Sequence, residues 1–99
     1  MKKIQAFSRI RGDAIPRRKD VLVRVNPDRS VSVLRLDLDD QVYLITGLAA
    51  EIFGMIGSGR SFARIRQNMI KKHDPPLGKF DPAFEKFIAW LLSEQMITT

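Results

Sequence analysis

The chain has 99 residues, the length of one domain with one hydrophobic core and little material left for a deep enclosed active site. It contains no cysteine, which excludes disulfides and thiolate metal sites, and no apolar run approaches the ~20 residues of a membrane-spanning helix. The net charge of +6 is unevenly placed: residues 1–36 hold ten Lys/Arg against three Asp, whereas residues 37–99 hold seven Lys/Arg against eight Asp/Glu. The basic N-terminal third suits nucleic acid, an anionic surface or an acidic protein, or is simply a solvated arm and strand surface. The first residues carry positive charge with no apolar stretch behind them, unlike a secretory signal, so a cytoplasmic, membrane-free protein is expected.

Residues 1–20 lack periodicity and read as a basic, partly ordered arm, with the domain occupying 21–99. From Val21 to Val25 β-branched residues alternate with others, the period of a strand. Asn26-Pro27-Asp28-Arg29-Ser30 is a turn, because Pro presets its own φ and Asn and Asp bond nearby backbone. A second strand spans Val31 to Leu36, a turn Asp37 to Asp40, and a third strand Gln41-Val42-Tyr43-Leu44-Ile45, giving an antiparallel meander. The period then becomes helical. Thr46 is the expected N-cap of a helix with Leu48, Ile52, Met55 and Ile56 on one stripe, Ala49 and Phe53 beside it, and Gly57 as its stop. Ser61 caps a second helix carrying Phe62, Ile65 and Met69 on one face, and Pro75-Pro76-Leu77-Gly78 interrupts it. Asp81-Pro82 is the expected opening of a third helix ending near Glu94. The order β-β-β-α-α-α is that of an α+β domain with helices on one face of a small sheet.

Enzymatic motifs fail on inspection. The single histidine, His73, lacks the clustered partners of a zinc site and reads as a solvated last-turn residue. No sharp Gly-x-Ser-x-Gly turn marks a nucleophile. Asp37, Asp39 and Asp40 are acidic enough for calcium, but the loop positions that need Gly and Glu hold Val42 and Leu48. Gly57-Ser58-Gly59-Arg60 follows a helix and lacks the lysine of a phosphate-binding loop. No catalytic residue, metal or cofactor is expected.

The run Val42-Tyr43-Leu44-Ile45-Thr46-Gly47-Leu48-Ala49-Ala50-Glu51-Ile52-Phe53-Gly54-Met55-Ile56 resembles the core of PqqD-family proteins: a strand, a small polar cap, Ala-Ala-Glu-Ile and a large apolar residue. A Gly-containing turn with a Ser cap follows at 57–61, then a second helix, an apolar third helix and the closing pair Met96-Ile97, so the resemblance covers roughly residues 15–97. The segment Pro75-Pro76-Leu77-Gly78, the pair Glu94-Gln95 where a basic residue and Gly are common, and the basic arm depart from the pattern. The resemblance implies a winged-helix-like fold without catalytic activity. It implies binding of the leader of a ribosomally made precursor peptide and its presentation to a modifying enzyme, often a radical SAM enzyme. It also places the peptide between the third strand and the third helix, here Gln41–Ile45 and 83–92.

The third helix supports such a site independently. With Phe84 set at zero, Ile88 and Leu91 lie within about 40° by helical projection, Phe87 and Leu92 flank them, and Trp90 lies further round. The apolar arc exceeds the ~100° stripe of a one-sided helix. One edge therefore packs in the core and the other is available to line a groove, with Phe87 and Trp90 as aromatic anchors and Lys86 beside them for an acidic partner. A core-only or dimer-contact role for the same arc, giving a purely structural subunit or homodimer, is the plain alternative. The other alternative is a winged-helix nucleic-acid binder. Against it, the third helix is net acidic through Glu85, Lys86 and Glu94, and the cations of the second, Arg64, Arg66, Lys71 and Lys72, point in several directions.

Overall fold

A computed structural model describes residues 11–36 and 41–99, so the acidic turn Asp37 to Asp40 and the first ten residues lie outside the described residues. The elements are β1 (Arg17–Arg18), β2 (Val21–Val25), β3 (Val31–Arg35), β4 (Val42–Ile45), α1 (Gly47–Met55), α2 (Phe62–His73), α3 (Leu77–Ser93) and β5 (Ile97–Thr98). The fold is α+β: an antiparallel three-stranded sheet in the order β2-β3-β4 is followed by three helices, and a separate short ladder joins β1 to β5.

Strand periodicity decides which side of the sheet the helices cover. On the central strand Val31, Val33 and Arg35 are buried, while Ser32 and Leu34 between them are half-buried. Tyr43 and Ile45 of β4 lie opposite Val33 and Val31, so they share that inner face. The core is completed by Ile52, Phe53 and Ile56 from α1, Phe62, Ile65 and Met69 from α2, and Phe80, Phe84, Ile88 and Leu91 from α3. Removing a buried ring such as Phe53 or Phe84 costs about 3–5 kcal/mol.

The helices differ from expectation in three ways. Ser61 caps α2, accepting from the Arg64 N–H at 3.2 Å, but Thr46 occupies the N-cap position of α1 without a side-chain bond. The stripe of α1 is rotated: Leu48 is exposed, and Ala50, Ile52 and Phe53 face the core. The third helix begins at Leu77 instead of at Asp81-Pro82. Phe80 is buried and stacks on Phe84 with ring centroids 5.6 Å apart, and this packing draws the preceding turn into the helix. The Lys79 and Phe80 N–H groups both bond the Pro76 carbonyl, leaving Pro82 as the sixth helical residue, where its missing N–H forfeits one ladder bond to Gly78.

Of the expected arm, residues 1–10 lie outside the described residues and residues 11–20 are attached to the domain. Pro16 is fully buried, the Phe62 and Ala63 N–H groups bond the Ala14 and Gly12 carbonyls, and Arg18 pairs with Ile97 across the β1–β5 ladder. The Arg18 guanidinium lies 5.0 Å from the Phe53 ring centroid and donates to the Phe53 carbonyl at 3.2 Å. Charge count alone hides this, because a long Arg stem covers apolar surface while its head stays polar.

The end of α3 makes this attachment possible. The Met96 N–H bonds the Leu91 carbonyl and the Gln95 N–H bonds the Leu92 carbonyl, a Schellman turn with Gln95 at φ 58°. The turn sends Met96 and Ile97 into the core and onto β1. Glycine is preferred at this left-handed position, so Gln95→Gly is expected to stabilise the fold by about 1 kcal/mol. A rise in Tm of roughly 4–8 °C in thermal unfolding checks it.

Candidate functional site

The hydrogen-bond parity of the sheet defines an open edge. The Asn26 N–H bonds the Ser30 carbonyl at 2.8 Å and the Leu36 N–H bonds the Asp20 carbonyl at 2.9 Å. These two bonds fix the ladder with β2 on the even-numbered residues of β3, since bonded pairs recur at every second residue. The odd residues Val31 and Val33 therefore bond β4, through Ile45 and Tyr43. Val42 and Leu44 are left with their N–H and C=O groups pointing away from β3, and among the described residues no second strand lies beside β4.

Behind this edge stands an aromatic wall. Tyr43 meets Trp90 edge-on at a centroid distance of 5.7 Å, and Trp90 in turn stacks on Phe87 at 6.1 Å. Trp90 keeps 36% of its surface exposed, and Phe87 is half-buried. The Tyr43 hydroxyl lies 3.1 Å from Glu94 Oε1 and 3.3 Å from Gln41 Oε1, two acceptors for its one proton. Glu94 also accepts from Arg35 Nη1 at 3.2 Å, and the Arg35 side chain is only 8% exposed. Arg35, Glu94 and Tyr43 thus tie the central strand, the end of α3 and the edge strand together and hold the wall in place. Neither Arg35 nor Glu94 is among the site residues expected from the sequence; the one signal is Arg35, a charged residue at a core-facing strand position, which requires a partner.

The candidate residues named from the sequence divide by role. Val42 and Leu44 carry outward backbone groups, with side chains on the sheet's outer face; Tyr43, Phe87 and Trp90 form the wall. Ile45 is a core residue whose backbone is engaged by β3, and Gln41 stands just before the strand. Lys86 is exposed on the rim of α3, and its side chain makes no hydrogen bond or ion pair with another described residue; Lys79, seven residues before it, falls on the same side by helical geometry.

A second feature was not anticipated. From Phe87 the wall continues into an apolar cleft of about 120 Å³ between α1 and α3, lined by Leu48, Ala49 and Ile52 on one side and Phe80, Ala83 and Phe84 on the other. Its lining includes one small residue from each helix, Ala49 and Ala83, which leave room where larger side chains would fill it.

Elsewhere, charged residues are occupied with one another. Arg66 of α2 grips Asp81 through two bonds of 2.7 and 2.9 Å. His73, expected to be solvated, is 2.8 Å from Glu51, which also accepts from Lys72. Among the described residues no group of three or more His, Cys, Asp or Glu is placed to hold a metal, and no helix is long and apolar enough to cross a membrane. The chain matches no family model, and the searches of curated proteins and of solved structures also find no match.

Two predictions follow from this geometry. Val42→Pro removes an N–H that bonds no described strand and is expected to leave the fold intact, whereas Tyr43→Pro removes a ladder bond and is expected to destabilise it by about 3 kcal/mol; denaturant midpoints of the two variants distinguish them. The Lys72 bond, and after it His73, holds the Glu51 carboxyl below its ordinary value of 4.5. Because the folded value is depressed, this contribution to stability is present above pH 4.5 and is lost as pH falls through the folded value. Glu51→Gln should flatten that part of a stability-versus-pH curve.

Proposed function

We propose that the chain is a non-catalytic peptide-binding module that takes an extended peptide as a fourth strand on β4. The observation that carries this reading is the outward backbone of Val42 and Leu44 alongside the Tyr43–Trp90–Phe87 wall. A peptide pairing with Val42 and Leu44 gains main-chain hydrogen bonds that any sequence can make, and selectivity then comes from side chains. The peptide residue opposite Tyr43 points to the inner side, toward Trp90 and Phe87. Aromatic anchors of this kind dominate binding energies where they are central. Lys79 and Lys86 on the rim favour carboxylates flanking that apolar residue.

The resemblance of residues 15–97 to the PqqD family supplies the biological setting: the ligand is the leader of a ribosomally made precursor, presented to a radical SAM or other modifying enzyme. Nucleic-acid binding fits less well, since Arg66 and Lys72 of the basic helix are engaged by Asp81 and Glu51.

The test begins with a displayed library of linear peptides selected on the protein. Enriched sequences should carry a large apolar residue flanked by Asp or Glu. A selected peptide titrated into labelled protein should shift the amides of β4 and of residues 83–92. Phe87→Ala or Trp90→Ala should weaken binding by about 1–3 kcal/mol. Shifts confined to α2 and residues 11–20, with β4 unmoved, would sink the proposal in favour of a basic-surface interaction.

A further inference from the structure

The sheet has a second face, and it is apolar. Leu22, Leu34 and Val42 form one rung across all three strands, and Arg24, Ser32 and Leu44 form the next. Leu36 continues the same face beyond the first rung. Leu22 is 55% exposed, Leu36 58%, Val42 60% and Leu44 65%, whereas the helices cover only the opposite side. The largest contiguous apolar patch on a monomer is often an interaction site, above all where polar residues rim it.

Two charges, Arg24 on β2 and Asp20 just before it, indicate what covers this face. Arg24 stands at one end of the patch and Asp20 at the other, with Leu22 between them. Both residues are exposed, and neither side chain makes a hydrogen bond or ion pair with another described residue. A cation and an anion at opposite ends of an apolar stripe are complementary to the same stripe reversed. We propose that this face is the interface of a homodimer in which two sheets pack face to face about a two-fold axis crossing the strands at the Leu22–Leu34–Val42 rung. That axis lays β2 antiparallel over the β2 of the second copy and sets Arg24 over the partner's Asp20. An isologous contact requires this kind of self-complementarity. Aligned sheets pack about 10 Å apart, a gap that a leucine layer fills and an arginine spans.

The patch is small against the ~800 Å² per partner of a standard interface, so the dimer is weak, with a dissociation constant in the micromolar range. The interface uses the flat of the sheet and leaves the outward backbone of β4 accessible. It is therefore independent of the peptide-binding reading and compatible with it.

Sedimentation velocity on the full chain from about 5 to 500 µM tests the proposal. The wild type should pass reversibly from monomer to dimer. Leu22→Glu places a carboxylate on the axis and should raise the dissociation constant by about tenfold or more. Arg24→Asp should also weaken the dimer, and the double variant Asp20→Arg, Arg24→Asp should restore it, because the exchange rebuilds the pair across the two-fold. Circular dichroism confirms folding of each variant. A wild type that stays monomeric throughout overturns the proposal. So does a dimer insensitive to Leu22→Glu, a double variant no stronger than Arg24→Asp alone, or a dimer abolished by Val42→Pro while Leu22→Glu leaves it intact, which would indicate pairing along the β4 edge.

Discussion

The hydrogen-bond direction along β3 governs the rest of the molecule. A central strand spends its even residues on one neighbour and its odd residues on the other, and no residue serves both. Once Ser30 and Leu36 are committed to β2, the polarity of β4 follows: Tyr43 and Ile45 turn their backbone toward β3 and Val42 and Leu44 turn theirs outward. Side chains alternate with the same period, so the residues with outward-pointing backbone groups have side chains on the outer face. The residue between them, Tyr43, faces the aromatic wall. One register therefore sets the open edge, the wall behind it and the composition of the outer face together.

The Arg35–Glu94–Tyr43 network shows how such a register is protected. Arg35 occupies an inner-face position that an aliphatic residue would fill more simply. Its charge is tolerated because Glu94 meets it, and Glu94 in turn is the residue at which α3 ends. Breaking a partly buried pair of this kind by removing one partner strands a charge and costs far more than an exposed pair is worth. The network thus ties the register of β3 to the placement of α3. A one-residue slip would turn every inner side chain outward and leave Glu94 without its cation.

Much of this was legible in the sequence, and the failures have physical causes. The three alternating strands, the hairpin turn and the Ser61 cap follow from local rules of period and turn chemistry, and the wide apolar arc of α3 was visible by projection. The parity of β4 was not, because sequence gives the side-chain alternation of a strand but not which of its residues bond which neighbour. The start of α3 was misplaced because local chemistry favours Asp-Pro as an opening, while burial of Phe80 overrides it. Residues 11–20 looked like an arm because Pro16 and Arg18 show no periodicity, yet tertiary contacts with α2, Phe53 and β5 hold them. The cleft between α1 and α3 takes small residues, Ala49 and Ala83, from two separate helices, and no local pattern brings these together.

The β1–β5 ladder has a consequence for the time course of folding. It joins Arg18 to Ile97, roughly 80 residues apart along the chain, through only two paired residues on each side. Closing so long a loop sacrifices chain entropy that two pairs cannot repay until the sheet and helices have already shortened the distance. The ladder is therefore among the last contacts made on the way in and among the first broken on the way out. Side chains there, Arg18 above all, control how long the folded molecule survives more than how fast it is reached.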